Sequence, residues 1–148
     1  MIRHILVVCV GNICRSPMAE ALLRQALGEQ DGFKVESAGL GALVGHEASE
    51  HSVALMDEEG LDITSHRARQ IHPEMVSKAD LVLVMETGHK RAIDDADPTA
   101  RGKVHRLGEW QDTDIADPYR KPRDAYEAAL VHIRAGVESW VEKLKGFS

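Results

Sequence analysis

Cys9 and Arg15, separated by five residues, are the side chains of this sequence best placed for chemistry. An apolar run ends at Cys9, and Ser16 and Pro17 follow Arg15, where a helix is expected to begin. Backbone amides that open a helix bind anions, and a guanidinium can hold two phosphate oxygens at once. The same surroundings favour the thiolate, which is the nucleophilic form of cysteine. The spacing therefore indicates a loop in which a thiolate attacks a bound phosphoryl group.

This spacing also has a purely structural interpretation. Cys9 could be a buried residue at the end of a strand and Arg15 a surface charge, because a cysteine and an arginine at this distance often occur by chance. The context favours the phosphate loop, since a strand precedes it, a helix follows it and Gly11 relaxes its backbone. If the chemistry proceeds through a cysteinyl-phosphate, the rest of the chain must supply an acid.

The composition is that of an ordinary globular protein and predicts a single domain over residues 1–148. The net charge of −6 argues against a nucleic-acid partner, which usually needs a basic face. No segment approaches the ~20 apolar residues that span a bilayer, so we do not expect a membrane-embedded protein. The N-terminal segment lacks the pattern of a secretory signal, and two cysteines in one loop cannot staple a domain. Together these features predict a cytoplasmic location.

Hydrophobic periodicity predicts alternating strands and helices. Segments typical of strands lie at 5–8, 33–37, 80–86 and 103–107. Segments typical of helices lie at 16 to about 30, 48–59, 73–78, 88–95 and 124–145, and residues 108–123 are expected to form a loop. This order predicts an α/β fold with a parallel sheet and helices on both faces. Ligands bind at the carboxyl ends of such strands, which is where Cys9 lies.

Residues 9–20 read Cys-Val-Gly-Asn-Ile-Cys-Arg-Ser-Pro-Met-Ala-Glu, and three further segments accompany them. These are Ser-Ala-Gly at 37–39, His-Arg-Ala-Arg-Gln at 66–70 and Asp-Pro-Tyr at 117–119. In this order they resemble the low-molecular-weight protein tyrosine phosphatase family, over essentially the whole chain. The resemblance implies a flavodoxin-like fold, with a four-stranded parallel sheet flanked by helices. It also implies that no metal or organic cofactor is needed.

The resemblance further implies a catalytic role for three residues. Cys9 would form the cysteinyl-phosphate, Arg15 would bind the phosphoryl oxygens, and Asp117 would protonate the tyrosyl oxygen and then activate water. From the sequence alone, a loop residue that starts an Asp-Pro turn is the favoured interpretation of Asp117. The remaining residues of the implied phosphate-binding loop are Val10, Gly11, Asn12, Ile13, Cys14 and Ser16.

A supporting polar network is implied for Asn12, Ser16, Ser37 and His66. Three of them also have a simpler interpretation: Asn12 as a turn residue, Ser16 as a helix cap and His66 as a surface histidine. Ser16 could in addition donate a hydrogen bond to the Cys9 sulfur.

Two further features concern the substrate and the second cysteine. Tyr119 is expected to form a wall against an aromatic ring, with Leu40 and Leu43 opposite, although Tyr119 could instead pack into the core. Cys14 is either a small buried residue or, as the resemblance implies, a partner that traps oxidised Cys9 as a disulfide.

Residues 37–45 and 117–121 are similar to one bacterial branch of the family. Members of that branch act with tyrosine autokinases that control capsule or exopolysaccharide export. Other branches carry a second aromatic residue after the tyrosine, where this chain has Arg120. The resemblance thus implies a protein tyrosine phosphatase whose substrate is a phosphotyrosine protein, in this case an autokinase.

Three rival functions share parts of this pattern. A thiol-dependent arsenate reductase needs further cysteines to pass on oxidising equivalents, and none follows Cys14. A module that binds phosphotyrosine without cleaving it would lack the nucleophile or the acid, whereas Cys9 and Asp117 are both present. An unrelated flavodoxin-like binding protein would bind flavin or show no hydrolysis.

Overall fold

The computed structural model of the protein describes residues 2–28 and 31–146. Its centre is a sheet of four parallel strands, in the order β2-β1-β3-β4. The strands are β1 (His4–Cys9), β2 (Lys34–Gly39), β3 (Leu81–Val84) and β4 (Val104–Arg106). The predicted α/β fold with a four-stranded parallel sheet is therefore confirmed. β1 pairs with β2 on one side and with β3 on the other, so the strand order reverses at β1. In parallel sheets a crevice forms at such a point, here beyond Cys9 at the end of β1.

In the described residues, five α-helices cover the two faces of the sheet. They are α1 (Arg15–Leu27), α2 (Glu50–Glu58), α3 (Pro73–Lys78), α4 (Thr87–Ala96) and α5 (Arg123–Gly146). Alternate residues of β1 enter two separate cores. Ile5, Val7 and Cys9 pack with α1, α2 and α5. Leu6 and Val8 pack with α3 and α4 on the other face. Cys9 thus belongs to the layer that contains α1.

The first helix differs from its predicted bounds at both ends. It begins at Arg15, with Cys14 as the residue before it, so Ser16 lies inside the first turn and is not the cap. The helix ends at Leu27, where Gly28 adopts a φ of 76° and its amide donates to the Arg24 carbonyl. The predicted end near Gln30 lies outside the described residues.

The other elements agree with the periodicity to within a few residues. The helix predicted from residue 48 begins at Glu50, because Ser49 has an extended backbone. The loop predicted for 108–123 contains one short 3-10 turn, Glu109–Gln111, and another such turn, Pro98–Ala100, follows α4. Within residues 2–28 and 31–146, no helix is both long and apolar enough to cross a bilayer.

Candidate active site

The segment that connects β1 to α1 wraps around the Cys9 sulfur with its carbonyls turned outward. The carbonyls of Cys9, Val10 and Gly11 accept hydrogen bonds from the amides of Leu40, Gly41 and Leu43 in turn, and the Ile13 carbonyl accepts from Ser49. No amide of residues 10–14 donates to another group in the described part of the chain. Buried amides seldom lack a partner, so these N–H groups are available to an anion at the start of α1.

Cys9 lies at the bottom of this loop and is 2% exposed. Its Sγ is 2.9 Å from the Ser16 Oγ, which is itself fully buried. No acidic side chain occupies the first turn of α1, so the positive end of the helix dipole is not neutralised there. Because Ser16 lies inside the first turn, its hydroxyl contacts the Cys9 sulfur and does not cap the helix.

Asn12 holds the loop together through both its side chain and its backbone. Its Nδ2 donates to the hydroxyls of Ser16 (2.8 Å) and Ser37 (3.0 Å), and its Oδ1 accepts from the Arg69 amide (2.8 Å). The Nε2 of His66 lies 2.6 Å from the Asn12 carbonyl oxygen, which can only accept, so this nitrogen carries the proton. Asn12 has a φ of 61°, a conformation that asparagine tolerates better than most residues. The structure thus brings together all four residues of the predicted polar network.

Two residues that the sequence analysis did not single out support this network from β2 and α1. The Ser37 hydroxyl donates to the Glu20 carboxylate, which also pairs with Arg24 at 2.8 Å. Gly39 ends β2 directly beside the loop, and a Cβ added there would lie 2.4 Å from the Val10 carbonyl oxygen. Glu20 and Gly39 belong to the motif segments quoted above, but the motifs alone do not indicate what either residue does.

Arg15 is 1% exposed and reaches from α1 across the end of the sheet. Its Nη1 donates to the Glu86 carboxylate (2.6 Å) and to the Ile115 carbonyl (2.6 Å). Its Nη2 lies 3.6 Å from an Asp117 oxygen, and its buried Nε has no partner among the described residues. One edge of the guanidinium is therefore anchored to protein, while the Nε–Nη2 edge remains for a ligand.

Glu86 and His89 form a second layer behind Arg15 that the sequence analysis missed. Glu86 follows β3, which is the neighbour of β1. An acidic residue just after this predicted strand was the signal in the sequence that could have indicated its place in the site. The His89 Nε2 lies 3.4 Å from the Glu86 carboxylate, while its buried Nδ1 has no partner in the described structure. Burial lowers the pKa of His89, and the nearby Glu86 charge opposes that shift only in part.

Asp117 and Tyr119 come from the loop before α5. The Asp117 Oδ1 accepts the Tyr119 amide at 3.0 Å, as in an Asp-Pro turn, while its Oδ2 faces Arg15. The Asp117 side chain is 43% exposed and the Tyr119 residue is 40% exposed. The two interpretations of Asp117, as a turn residue and as a site residue, are therefore compatible, because the turn directs the carboxyl group toward Arg15. Tyr119 does not pack into the core.

These residues enclose a cavity of about 110 Å³. Its lining consists of Cys9, Val10, Gly11, Ile13, Cys14, Arg15, Gly41, Leu43, Asp117 and Tyr119. The reactive groups lie in the same cavity as apolar surface from Ile13, Leu43 and Tyr119. A larger surface cleft of about 400 Å³, between α1 and residues 61–66, contains no cysteine.

The structure places Leu40 differently from the prediction. Leu40 does not line the cavity but packs against the core on the α3 and α4 face, beside Ile71 and Met75. Leu43 takes the expected position because the chain turns after β2, with the Leu40 amide bound to the Cys9 carbonyl and the Leu43 amide to that of Gly11. Leu43 therefore lines the cavity together with Tyr119, whereas Leu40 does not.

Cys14 lies under the loop, and both cysteines are free thiols. The Cys14 Sγ is 3.4 Å from the Tyr126 hydroxyl of α5. Burial raises the pKa of the Cys14 thiol despite that hydrogen bond. Burial also raises the pKa of Tyr126 to about 12, and the contact with Cys14 adds to the shift. Cys14 is thus a protonated, packed residue in this state.

No group of three or more His, Cys, Asp or Glu in the described ranges could hold a metal ion.

Comparisons with known proteins identify the family of this chain. Residues 4–146 match the family described as low molecular weight phosphotyrosine protein phosphatase. The probable low molecular weight protein-tyrosine-phosphatase EpsP of Ralstonia nicotianae is 52% identical over 145 residues, which are 98% of each chain. Wzb of Vibrio vulnificus, solved in complex with benzylphosphonate, is 37% identical with a TM-score of 0.91, covering 97% of this chain and 99% of that one.

A third similar structure carries a different description. The YwlE arginine phosphatase of Geobacillus stearothermophilus is 38% identical with a TM-score of 0.89, and the match covers 97% of this chain and 94% of that one. The fold is therefore shared by phosphatases that are named for different substrates. On the sequence match over 4–146 and the identity to its relatives, this chain belongs to the low molecular weight phosphotyrosine protein phosphatase family.

Proposed function

We propose that this protein-tyrosine-phosphatase hydrolyses phosphotyrosine through a cysteinyl-phosphate on Cys9. The observation that carries the proposal is that Cys9, Arg15 and Asp117 line one small cavity with an apolar wall. In the first step the Cys9 sulfur forms a bond to phosphorus while the bond from phosphorus to the tyrosyl oxygen breaks. Asp117 gives its proton to that oxygen, so tyrosine leaves as a neutral phenol.

Arg15 and the loop amides stabilise the charge on the transferring phosphoryl group. Glu86 and the Ile115 carbonyl fix the Nη1 side of the guanidinium, which leaves Nε and Nη2 as a fork for two phosphoryl oxygens. The free amides of residues 10–14 supply the remaining donors. Because these donors are already oriented, little reorganisation is needed in the transition state.

The second step returns the enzyme to its starting state. The Asp117 carboxylate takes a proton from water, whose oxygen bonds to phosphorus while the sulfur–phosphorus bond breaks. Inorganic phosphate leaves, and the departing Cys9 thiolate is stabilised by a hydrogen bond from the Ser16 hydroxyl, 2.9 Å away. Asn12 donates to the same Ser16 oxygen, which leaves the Ser16 proton free to point at the sulfur.

The cavity wall supports an aromatic phosphate ester as the substrate. Tyr119, Leu43 and Ile13 offer apolar surface beside the phosphate loop. The Vibrio vulnificus relative was solved with benzylphosphonate, a phosphonate attached to a benzyl group. A YwlE arginine phosphatase has a similar structure, so phosphoarginine is the alternative substrate that the test must include.

We further propose that the physiological substrate is a tyrosine autokinase that controls exopolysaccharide or capsule export. The similarity of residues 37–45 and 117–121 to that bacterial branch supports it, as does the 52% identity to EpsP. A cytoplasmic location, where thiols stay reduced, suits a nucleophilic Cys9. The proposed activity assigns residues 1–148 to a single phosphatase domain.

The test compares wild type, Cys9→Ser and Asp117→Asn on a phosphotyrosine peptide, a phosphoarginine peptide and the phosphorylated autokinase. We expect phosphotyrosine hydrolysis to be lost in Cys9→Ser, while inorganic phosphate still binds. For Asp117→Asn we expect kcat to fall by ~100-fold or more, the typical size of acid catalysis. The fall should be smaller for p-nitrophenyl phosphate, whose leaving group needs less protonation.

Two results would contradict the proposal. Substantial turnover by Cys9→Ser would remove the covalent step. Faster hydrolysis of phosphoarginine than of phosphotyrosine would assign the cavity to the substrate of the arginine phosphatase that shares this fold.

A further inference from the structure

Arg120 occupies a backbone conformation that residues with a Cβ rarely adopt. Its φ is 63°, in a turn closed by a hydrogen bond from the Lys121 amide to the Pro118 carbonyl (2.9 Å). The other non-glycine residues with positive φ in the described chain are Asn12 and Asp112, whose short polar side chains tolerate it. Arginine has no such advantage, and unfavourable backbone conformations of this kind cluster at functional sites.

The side chain of Arg120 is held beside Tyr119 of the cavity wall but has no anionic partner among the described residues. Its guanidinium carbon lies 5.3 Å from the centroid of the Tyr119 ring, and the residue is exposed. Across residues 2–28 and 31–146, no carboxylate pairs with it. Arg123 in the same segment is different, because it binds Glu58 at 2.6 Å and Glu127 at 3.3 Å.

This arrangement presents a preoriented cation at the cavity entrance. Tyr119 lines the cavity while Arg120 does not, so the guanidinium stacks on the wall from outside the space for the phosphotyrosine ring. Stacking on an aromatic ring reduces the side-chain freedom that would be lost on binding. An extended peptide advances by roughly 3.3–3.6 Å per residue, so a neighbour of the phosphotyrosine comes within reach of an arginine side chain.

We propose that Arg120 is a specificity-determining residue that binds an anionic group next to the phosphotyrosine of the substrate. The group is a carboxylate or a second phosphate, since the planar guanidinium can hold two oxygens of either. The inference rests on the proposed phosphotyrosine hydrolysis and adds the charge of the flanking sequence to it. In a chain of net charge −6, this proposal also gives a role to Arg120, whose charge no carboxylate of the described residues neutralises.

The test measures kcat/KM for three phosphotyrosine peptides that differ only in the neighbouring residue, which is glutamine, glutamate or phosphoserine. For wild type we expect the glutamate and phosphoserine peptides to exceed the glutamine peptide by about 3- to 10-fold, the range of an exposed to partly ordered ion pair. In Arg120→Gln these ratios should fall to about 1. Lys121→Gln removes the same charge one residue later and should keep the wild-type ratios.

The peptides also identify which anion is bound. Loss of only the glutamate ratio in Arg120→Gln assigns a carboxylate, and loss of only the phosphoserine ratio assigns a phosphate. Arg120→Gly relaxes the backbone while it removes the side chain, so its ratios should fall as in Arg120→Gln. Added salt should lower the wild-type ratios, because an exposed pair is screened.

Failure of this inference is distinguishable from failure of the proposed function. If wild type hydrolyses the glutamine peptide but shows ratios of 1, or if Lys121→Gln loses them as fully as Arg120→Gln, the role of Arg120 is refuted and phosphotyrosine hydrolysis stands. If wild type hydrolyses none of the three peptides, both fail.

Discussion

A single methyl group at Gly39 should displace the phosphate loop. The added Cβ would lie 2.4 Å from the Val10 carbonyl oxygen, whereas real Cβ contacts essentially never fall below 3.0 Å. Neither partner can yield easily. Gly39 is held by its amide on the Arg69 carbonyl and its carbonyl on the Ile71 amide, each at 2.9 Å. The Val10 carbonyl is held by the Gly41 amide at 3.0 Å.

The size of the effect follows from this distance. Relief of the contact requires a relative movement of at least ~0.6 Å between two backbones, and overpacking of this kind costs about 1–3 kcal/mol in stability. Val10 is adjacent to Cys9, so the movement reaches the nucleophile and the loop amides. A misplacement near 1 Å at a catalytic site lowers the rate by ~100-fold. For Gly39→Ala we therefore expect kcat/KM to fall by about 10- to 100-fold.

Steady-state hydrolysis of p-nitrophenyl phosphate and urea denaturation measure the two quantities separately. Gly88→Ala is the matched control, because it adds the same methyl group where the Cβ meets nothing within 4 Å. Gly88 lies in the first turn of α4, so we expect wild-type activity and a stability gain of about 0.5–1 kcal/mol. Wild-type kcat/KM in Gly39→Ala would refute the reasoning, whether or not its stability falls.

Two further predictions concern the layer behind Arg15. Glu86→Gln keeps an acceptor for the Arg15 Nη1 but removes its charge, so kcat/KM should fall about tenfold, equal to ~1.4 kcal/mol; unchanged kinetics would show that the Ile115 carbonyl suffices. Burial lowers the pKa of His89 in the folded protein, so as the pH falls the unfolded chain protonates this histidine first. His89 therefore contributes to the free energy of unfolding above pH ~6.5, and this contribution is lost as the pH falls below that value. Urea titrations from about pH 7 to 5 should show a smaller loss in His89→Gln than in wild type; equal losses would contradict this.

The sequence predicted the sheet and the position of Cys9 because both depend on local pattern. The apolar runs of β1 and β3 predict buried parallel strands, and the carboxyl end of such a strand places Cys9 at the site. The family resemblance added Asp117 and the Asn12 network, and the structure brings these residues together. Their catalytic roles remain predictions that the proposed variants test.

The parts that the sequence could not predict depend on contacts between distant segments. Glu86 reads as the end of a strand until the order β1-β3 places it beside Arg15. That Leu43 lines the cavity and Leu40 does not depends on the turn after β2, which a glycine-spaced loop does not specify. Nothing in the residue types marks the Ile115 carbonyl as a partner of Arg15, because every residue has such a carbonyl.

The site keeps donors unpaired inside a folded protein, and the surrounding hydrogen bonds explain how it can. Loop carbonyls that could have competed for those amides are bound by residues 40–49 and by His66. The side chain of Asn12 is likewise occupied by Ser16, Ser37 and Arg69. With its acceptors satisfied from outside, the loop cannot collapse into hydrogen bonds of its own. The N–H groups and the Nε–Nη2 edge of Arg15 are then available to an anion held over the Cys9 sulfur, as the proposed phosphoryl transfer requires.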